Sequence, residues 1–564
     1  MKKILLSLSI LLSAGLYSQE HKYASPVNFS LELSANFGEL RPNHFHTGID
    51  IKTQQVINKP VLSIEDGYVS RISISPSGYG LALYINHPAT GQTSVYGHLN
   101  KFTPELTKYI KDKQYEKETH KIEIYPGENE LPVKKGELVA YSGNSGSSGG
   151  PHIHFEIRDT KTEHALDPLP YYANRIPDTK APEIRGIAVY PIAGKGVVNN
   201  SKNTYRQAVS ILQSGKYSPL SKTIEAWGTI GFGIKAVDKM NNTHNTYGVK
   251  SVKLYCDEEL ISSFNINEVN FDRSKVINSM TDFDYWYKNR KFYMKSFIEP
   301  GNILKIYDST SVKGYLNVNE AKTYKLRYEL IDNNRNKTTY NFSIVGKEQK
   351  IPVQDGCAMA MVWNQNNHYI TDDFSLIVPA NKLYDDICFT LQTRKSSNYL
   401  SPIYSVNNHT YVPLHGTASL KIKMTKDSLE NKKQYGIISM DNKRTRWIGG
   451  EYNNGYVTTE IRELGADYAI TYDTKAPVIT PIQPERWKQK NAITIKVTDN
   501  LSGVKSYKGT LNGEYVLFEY DVKSPNRIYK FDSERLVKGT KYQLVFTAED
   551  ACGNSSTYKY EFTY

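Results

Sequence analysis

His152 and His154 stand two residues apart in Gly149-Gly150-Pro151-His152-Ile153-His154-Phe155-Glu156-Ile157, at the start of an alternating apolar segment. On a strand, His152, His154 and Glu156 share one face while Ile153, Phe155 and Ile157 share the other. An imidazole is costly to desolvate without a partner, so two of them aimed the same way call for a cation or a reacting group in front of them. The run reads as half of a metal site. His46-Thr47-Gly48-Ile49-Asp50 offers the other half. His and Asp both ligate zinc, and two His with one carboxylate leave a fourth position open for water, as catalytic zinc requires. Fully extended, residues 46 and 50 would stand about 13 Å apart at about 3.3 Å per residue, too far to share an ion. The chain must bend there, and Gly48 can supply the bend. A helix with the same i, i+4 spacing is disfavoured by Gly48 and by the β-branched Thr47, Ile49 and Ile51.

Around these residues the chain resembles the zinc endopeptidases of the lysostaphin and LytM type, which cut peptide bonds in bacterial cell walls. The resemblance covers about residues 36 to 172 and rests on motifs in the family's order: Phe37-Gly38, His46-x-x-x-Asp50, Tyr96-Gly97-His98-Leu99, the run from Val133 to Gly146, His152-x-His154-Phe155-Glu156, and Asp167-Pro168. Each piece is weak alone; their order and spacing together are specific. The resemblance implies a zinc ion held by His46, Asp50 and His154, with His98 and His152 beside the water that attacks the peptide bond. Either imidazole can take the water's proton or stabilise the oxyanion; His152 is the preferred general base, because its strand neighbour His154 fixes it close to the metal, and His98 is then the donor to the developing oxyanion. A tyrosine found near the metal in some members has no position that aligns here, so one oxyanion donor stays unassigned.

The chain also departs from that pattern. About 35 residues separate His98 from Val133, where a short connection is usual. Within this insertion, 101–132, Leu106, Tyr109 and Ile110 have helical spacing, and Lys111 to Lys121 is dense in charge. Two readings stand: a wall at one end of the cleft, or a solvated excursion. The Gly/Ser run from Ser142 to Gly150 enters His152 directly, and its glycines would let a substrate backbone approach closely. His44 and His87 fit no motif and read as exposed loop histidines, and His120, His164, His244, His368, His409 and His415 are assigned no chemistry.

Residues 1–18 have the basic start, short apolar stretch and small residue of a secretory signal, and no later segment approaches 18 uninterrupted apolar residues. The mature chain is expected to be exported, to the periplasm, the cell envelope or the medium, with no transmembrane segment. Four cysteines are too few for a disulfide framework; Cys357 and Cys388 fall in one module and are able to pair, while Cys256 and Cys552 are far apart. A formal charge of +12 favours anionic surfaces. Nucleic acid is a poor partner for an exported chain without a compact basic cluster, whereas cell-wall polymers are anionic and accessible.

The 43 tyrosines, with Thr, Val and Ile runs between Asn/Asp/Gly clusters, are the composition of an all-β chain. Asp178-Thr179-Lys180-Ala181-Pro182 recurs as Asp473-Thr474-Lys475-Ala476-Pro477, and each copy opens a segment of alternating strands. Strands ending in Asp before an Asn/Gly turn recur at Asp238, Asp332, Asp499 and Asp550. The expected organisation is an antiparallel peptidase domain at 19–176 and three β-sandwich-like modules. These are an immunoglobulin-like region at 177–350, a β domain with a faint ZU5-like character at 351–472, and an immunoglobulin-like sandwich at 473–564. The modules read either as devices that hold the enzyme at a wall or a protein partner, or as spacers. Three functions follow: a zinc endopeptidase acting on peptidoglycan peptides, a non-catalytic wall-binding or regulatory protein on a peptidase-like domain, or a secreted peptidase for glycine-rich proteins. Inactive relatives typically lose one of the five residues, and all five are present.

Overall fold

The computed structural model describes residues 22–353, 356–441 and 444–564. The export signal expected at 1–18 lies outside the described residues. The described chain is nearly all β, as its alternating Val, Ile, Thr and Tyr runs require. Among the described residues no helix is long and apolar enough to cross a membrane.

In the N-terminal domain the strands Leu33–Ala35, Ile49–Lys52, His152–Asp159, Gln92–Phe102, Leu81–His87 and Gly67–Ile74 lie side by side in that order, each antiparallel to the next. The His152 strand is thus central, with His154 opposite Asp50 on one side and Gly97 on the other. Ile153, Phe155 and Ile157 are fully buried in a core shared with Ile49, Ile51 and Tyr96. Each such side chain contributes about 1.5–3 kcal/mol. A one-residue slip would expel all three, so the apolar face locks the register that aims His152, His154 and Glu156 together. Gly48 has a second reason to be glycine besides the bend: a Cβ there would lie 2.3 Å from the Phe155 carbonyl oxygen.

The insertion begins later than its sequence bounds, because the Gln92 strand runs on to Phe102. Thr103 then caps the helix Pro104–Glu116, which buries Leu106 and Ile110, and Ile122–Ile124 adds to the edge of the Gly67 strand. The charged stretch is therefore partly helix, not a loop. It is no solvated excursion either, because the module beginning at residue 473 folds back onto it. Lys111 pairs with Asp532, Lys508 with Glu118, Arg535 lies 3.5 Å from the Tyr115 ring centroid, and His120 Nε2 bonds the Tyr520 carbonyl.

Residues following the peptidase form a nine-stranded sheet in which Glu225–Val237 pairs antiparallel with Glu183–Val198 and parallel with Lys337–Gly346. Helices at Ile277–Met280 and Phe283–Asn289 interrupt the strands expected there; Asp282 caps the second by accepting from the Tyr285 N–H. The core of this module is continuous with the peptidase, since Phe37, Phe45 and Ala165 join Ile266 and Val269 in one cluster. A boundary in the sequence is here no gap in the packing. Beyond it come two five-stranded sheets with a Cys357–Cys388 disulfide, then two four-stranded sheets around Trp487 and Phe546. Cys256 and Cys552 are buried and free.

Candidate functional site

The register of the central strand brings His46, Asp50 and His154 to one point. His46 Nε2, Asp50 Oδ1 and His154 Nδ1 lie 3.0 Å from one another, and all three residues are less than a tenth exposed. The remaining ring nitrogens are committed. His46 Nδ1 donates to the Asn36 carbonyl (2.7 Å) and His154 Nε2 to Glu156 Oε1 (2.8 Å), both groups that can only accept. In the neutral rings this leaves a lone pair on His46 Nε2 and on His154 Nδ1, facing a carboxylate oxygen. Three electron-rich atoms so close repel one another unless a cation sits among them. Burial opposes charge on His154, yet Asp50 and Glu156 outweigh it and raise its pKa to about 9. Burial likewise opposes the Asp50 carboxylate, but His46 and the bonds to His152 and His154 hold it well below the usual carboxylate range. The site draws positive charge. Its donors suit zinc, whose tetrahedral bonds of about 2.0–2.2 Å set ligand atoms a little over 3 Å apart.

His152 and His98 stand beside this cluster, their ring centroids 4.7 Å apart. His152 Nε2 is 3.5 Å from Asp50 Oδ1, and its Nδ1 bonds the Gly150 carbonyl at 2.8 Å. His98 Nδ1 bonds the Ser145 carbonyl at 2.8 Å. Burial, with His154 and His152 nearby, pushes the His98 pKa down to about 3, so this ring is neutral at neutral pH. Its backbone is left-handed (φ 57°), a conformation costing about 1–2 kcal/mol for an ordinary residue. The His98 N–H compensates by donating to the Tyr79 carbonyl at 2.7 Å. All five residues expected from the sequence therefore meet in one place.

Sequence reasoning assigned no role to the residues that brace them. Glu156 is fully buried, accepting on Oε1 from His154, Thr47 (2.5 Å) and Tyr79 (2.6 Å) and on Oε2 from Arg158 (2.6 Å). Its position on the histidine face was the only signal. The Tyr79 ring stacks on His154 with centroids 5.0 Å apart, supporting the imidazole from outside any motif. Arg41 Nη2 lies 3.7 Å from the other Asp50 oxygen. Of the histidines set aside as exposed, His44 is exposed, but His87 is buried and bonded to the Asp66 carbonyl and Ser94 Oγ. That expectation fails for His87 because its strand position points inward.

Two later modules reach the site's supports. Asn36, whose carbonyl orients His46, has its side-chain amide clamped by both backbone groups of Gly248, at 2.8 Å each. In the terminal module Lys523 Nζ bonds the Asn144 and Gly146 carbonyls at 2.6 Å, and Asp521 Oδ2 accepts from the Gly146 N–H at 3.0 Å. These contacts flank Ser145, the residue that orients His98. Gly146 has a packing reason to be glycine: its φ is 70°, and a Cβ would lie 2.4 Å from the Gly80 nitrogen. The later modules thus bond the residue that orients His46 and those flanking the one that orients His98.

The model of peptidase family M23 matches residues 44–115, and that of the Zu5-like domain matches 358–473. An uncharacterized metalloprotease of Haemophilus influenzae is 34% identical over 120 residues, 21% of this chain and 19% of that protein. The DD-carboxypeptidase/endopeptidase Mpg of Neisseria meningitidis is 31% identical over 113 residues, 20% of each. The chain spans about a fifth of the length of these curated relatives. Among solved structures, the catalytic domain of lysostaphin from Staphylococcus simulans aligns with 25% of this chain and 91% of that chain, at 21% identity and a TM-score of 0.19. With the family match over residues 44–115, the order of its motifs, its antiparallel sheet and its His/Asp/His cluster, the N-terminal part of this chain carries a domain similar to those of peptidase family M23.

Proposed function

We propose that this domain is a zinc-dependent endopeptidase that hydrolyses peptide bonds of peptidoglycan outside the cytoplasm. The observation that carries the reading is the convergence of His46 Nε2, Asp50 Oδ1 and His154 Nδ1, with each imidazole's inward nitrogen set by a bond to its far nitrogen. The name of the Neisseria relative supports action on peptides, and the +12 charge favours an anionic wall polymer. His46, Asp50 and His154 would hold the ion. When bound, zinc supplies a Lewis acid that polarises the scissile carbonyl and lowers the pKa of water.

The chain's own groups then divide the proton work. With Nδ1 donating to Gly150, neutral His152 presents a lone pair on Nε2 and can take the proton of the attacking water. His98 presents the same lone pair, because Ser145 takes its Nδ1 proton. Donation to an oxyanion, the role expected for His98 from the sequence, would need a charged ring, which burial and two neighbouring imidazoles oppose. We therefore assign His98 with His152 to proton acceptance.

The test is incubation of purified protein with peptidoglycan, with released peptides identified by mass. Cleaved peptides are expected, lost with a chelator and restored by zinc; no release from the zinc-loaded protein would overturn the reading. The terminal module should matter as well. Lys523→Ala frees the loop that carries Ser145, and a small misplacement of a catalytic group is costly, so kcat is expected to fall by roughly 10-fold with zinc content unchanged. Steady-state kinetics beside metal analysis checks this, and an unaltered kcat would show that the loop holds itself.

A further inference from the structure

Asp178, Asp238 and Asp332 are 9%, 3% and 4% exposed, and one oxygen from each lies within 4.8 Å of the others. They come from the first residue of the Asp-Thr-Lys-Ala-Pro segment and from the ends of two strands, Glu225–Val237 and Thr323–Ile331. Asp178 Oδ1 accepts from the Lys180 N–H, and Asp332 accepts from the Asn336 N–H and side-chain amide. Asp238 Oδ1, by contrast, is buried with no hydrogen-bond partner among the described residues. The nearby Lys250 does not relieve the charge, since it pairs with Asp167. An orphaned carboxylate oxygen at this depth costs several kcal/mol unless something compensates it. On a carboxylate grouped with two more, it calls for a cation.

We propose that Asp178, Asp238 and Asp332 bind a divalent cation of the oxygen-seeking kind, calcium, at the junction between the peptidase and the module that follows. The donors are all carboxylate oxygens, without the nitrogen or sulfur that zinc prefers, and calcium tolerates an irregular shell completed by water. The arrangement is built twice. At the next Asp-Thr-Lys-Ala-Pro copy Asp473, Asp499 and Asp550 cluster in the same way. Asn554 bonds Asp550 and the Asp473 carbonyl as Asn336 bonds Asp332 and the Asp178 carbonyl. Asp499 Oδ1 there also lacks a partner among the described residues.

The first site has a structural reach. Asp238 and Tyr247 bond each other's backbones, the Tyr247 hydroxyl donates to the Leu33 carbonyl, and Gly248 clamps Asn36. A cation on Asp238 would fix the base of the loop that steadies Asn36, whose carbonyl bonds His46.

The test uses the full chain, loaded with zinc and freed of calcium, in calorimetric titration with calcium chloride and in thermal unfolding. Wild type is expected to bind calcium and to gain roughly 5 °C in its midpoint. Asp238→Asn keeps the shape and removes one negative charge. It should bind one calcium fewer, lose most of the calcium-induced gain, and melt no lower than wild type without calcium. Asp178→Asn, read in the same way, serves if the first variant does not fold. Absence of heat and of any midpoint shift in wild type, or wild-type stoichiometry in a folded variant, would overturn the proposal.

Discussion

His154→Ala is expected to lower kcat/KM on peptidoglycan peptides by at least about 10³-fold and to leave the protein with almost no zinc. The side chain holds the centre of the site: Nδ1 is 3.0 Å from both His46 Nε2 and Asp50 Oδ1, and Nε2 is committed to Glu156. Alanine removes one of the three proposed ligands and leaves Asp50 and Glu156 without the group that faces both. Asp50→Ala should behave alike, because two imidazoles without a carboxylate hold a dication weakly. Metal content by mass spectrometry, together with a hydrolysis assay, decides the matter. Activity near wild type with zinc retained would rule out His154 as a ligand, and activity lost with zinc retained would move it from the metal to the reaction.

Glu156→Gln is expected to weaken zinc binding by about 10- to 100-fold and to destabilise the domain by about 3–5 kcal/mol. Glu156 touches no metal ligand atom, so the effect on affinity works through His154. The carboxylate fixes the tautomer that turns the Nδ1 lone pair toward the site. Glutamine has one acceptor oxygen for four donors: if it serves His154, Thr47 and Tyr79, its amide nitrogen meets Arg158 Nε. Arg158, 5% exposed, would then keep its charge with Glu163 at 3.9 Å, the Tyr79 hydroxyl at 3.5 Å and the faces of Tyr84 and Phe271, and no carboxylate in direct contact among these. Burial opposes the Glu156 charge, but Arg158 and the bonds from His154 and Thr47 hold the folded carboxyl well below its usual value. Its stabilising contribution is therefore fully present above the unfolded value of about 4.3 and is lost as pH falls toward the depressed folded value. Glu156→Gln should remove that acid dependence as well as the stability. Denaturant unfolding at neutral and acid pH, with chelator competition for zinc, tests both; an unchanged affinity would show that His154 orients itself.

The chemistry was largely legible in the chain because it is carried by local patterns. Alternation in Ile153-His154-Phe155-Glu156-Ile157 aims two imidazoles and a carboxylate at one face, whatever the surroundings. The Cys357–Cys388 pair and the Asp-Thr-Lys-Ala-Pro markers were visible for the same reason. What supports the chemistry was not. Tyr79 and Arg41 lie in no motif and reach the site only through strand pairing. His87 looked like a loop residue until the Leu81 strand turned it inward. The helices at 277–289 escaped an alternation-based reading because both are very short.

By itself the sequence determined the all-β character and pointed to the His46, Asp50 and His154 cluster, since each follows from side-chain type and period along a few residues. Only the tertiary structure decided which nitrogen of His46 and His154 faces Asp50, because a tautomer is set by the partner of the far nitrogen, here the Asn36 carbonyl and Glu156. It alone decided, too, that modules hundreds of residues away brace the site. Gly248 and Lys523 bond backbone groups, and a backbone group carries no mark in a sequence of what will bind it.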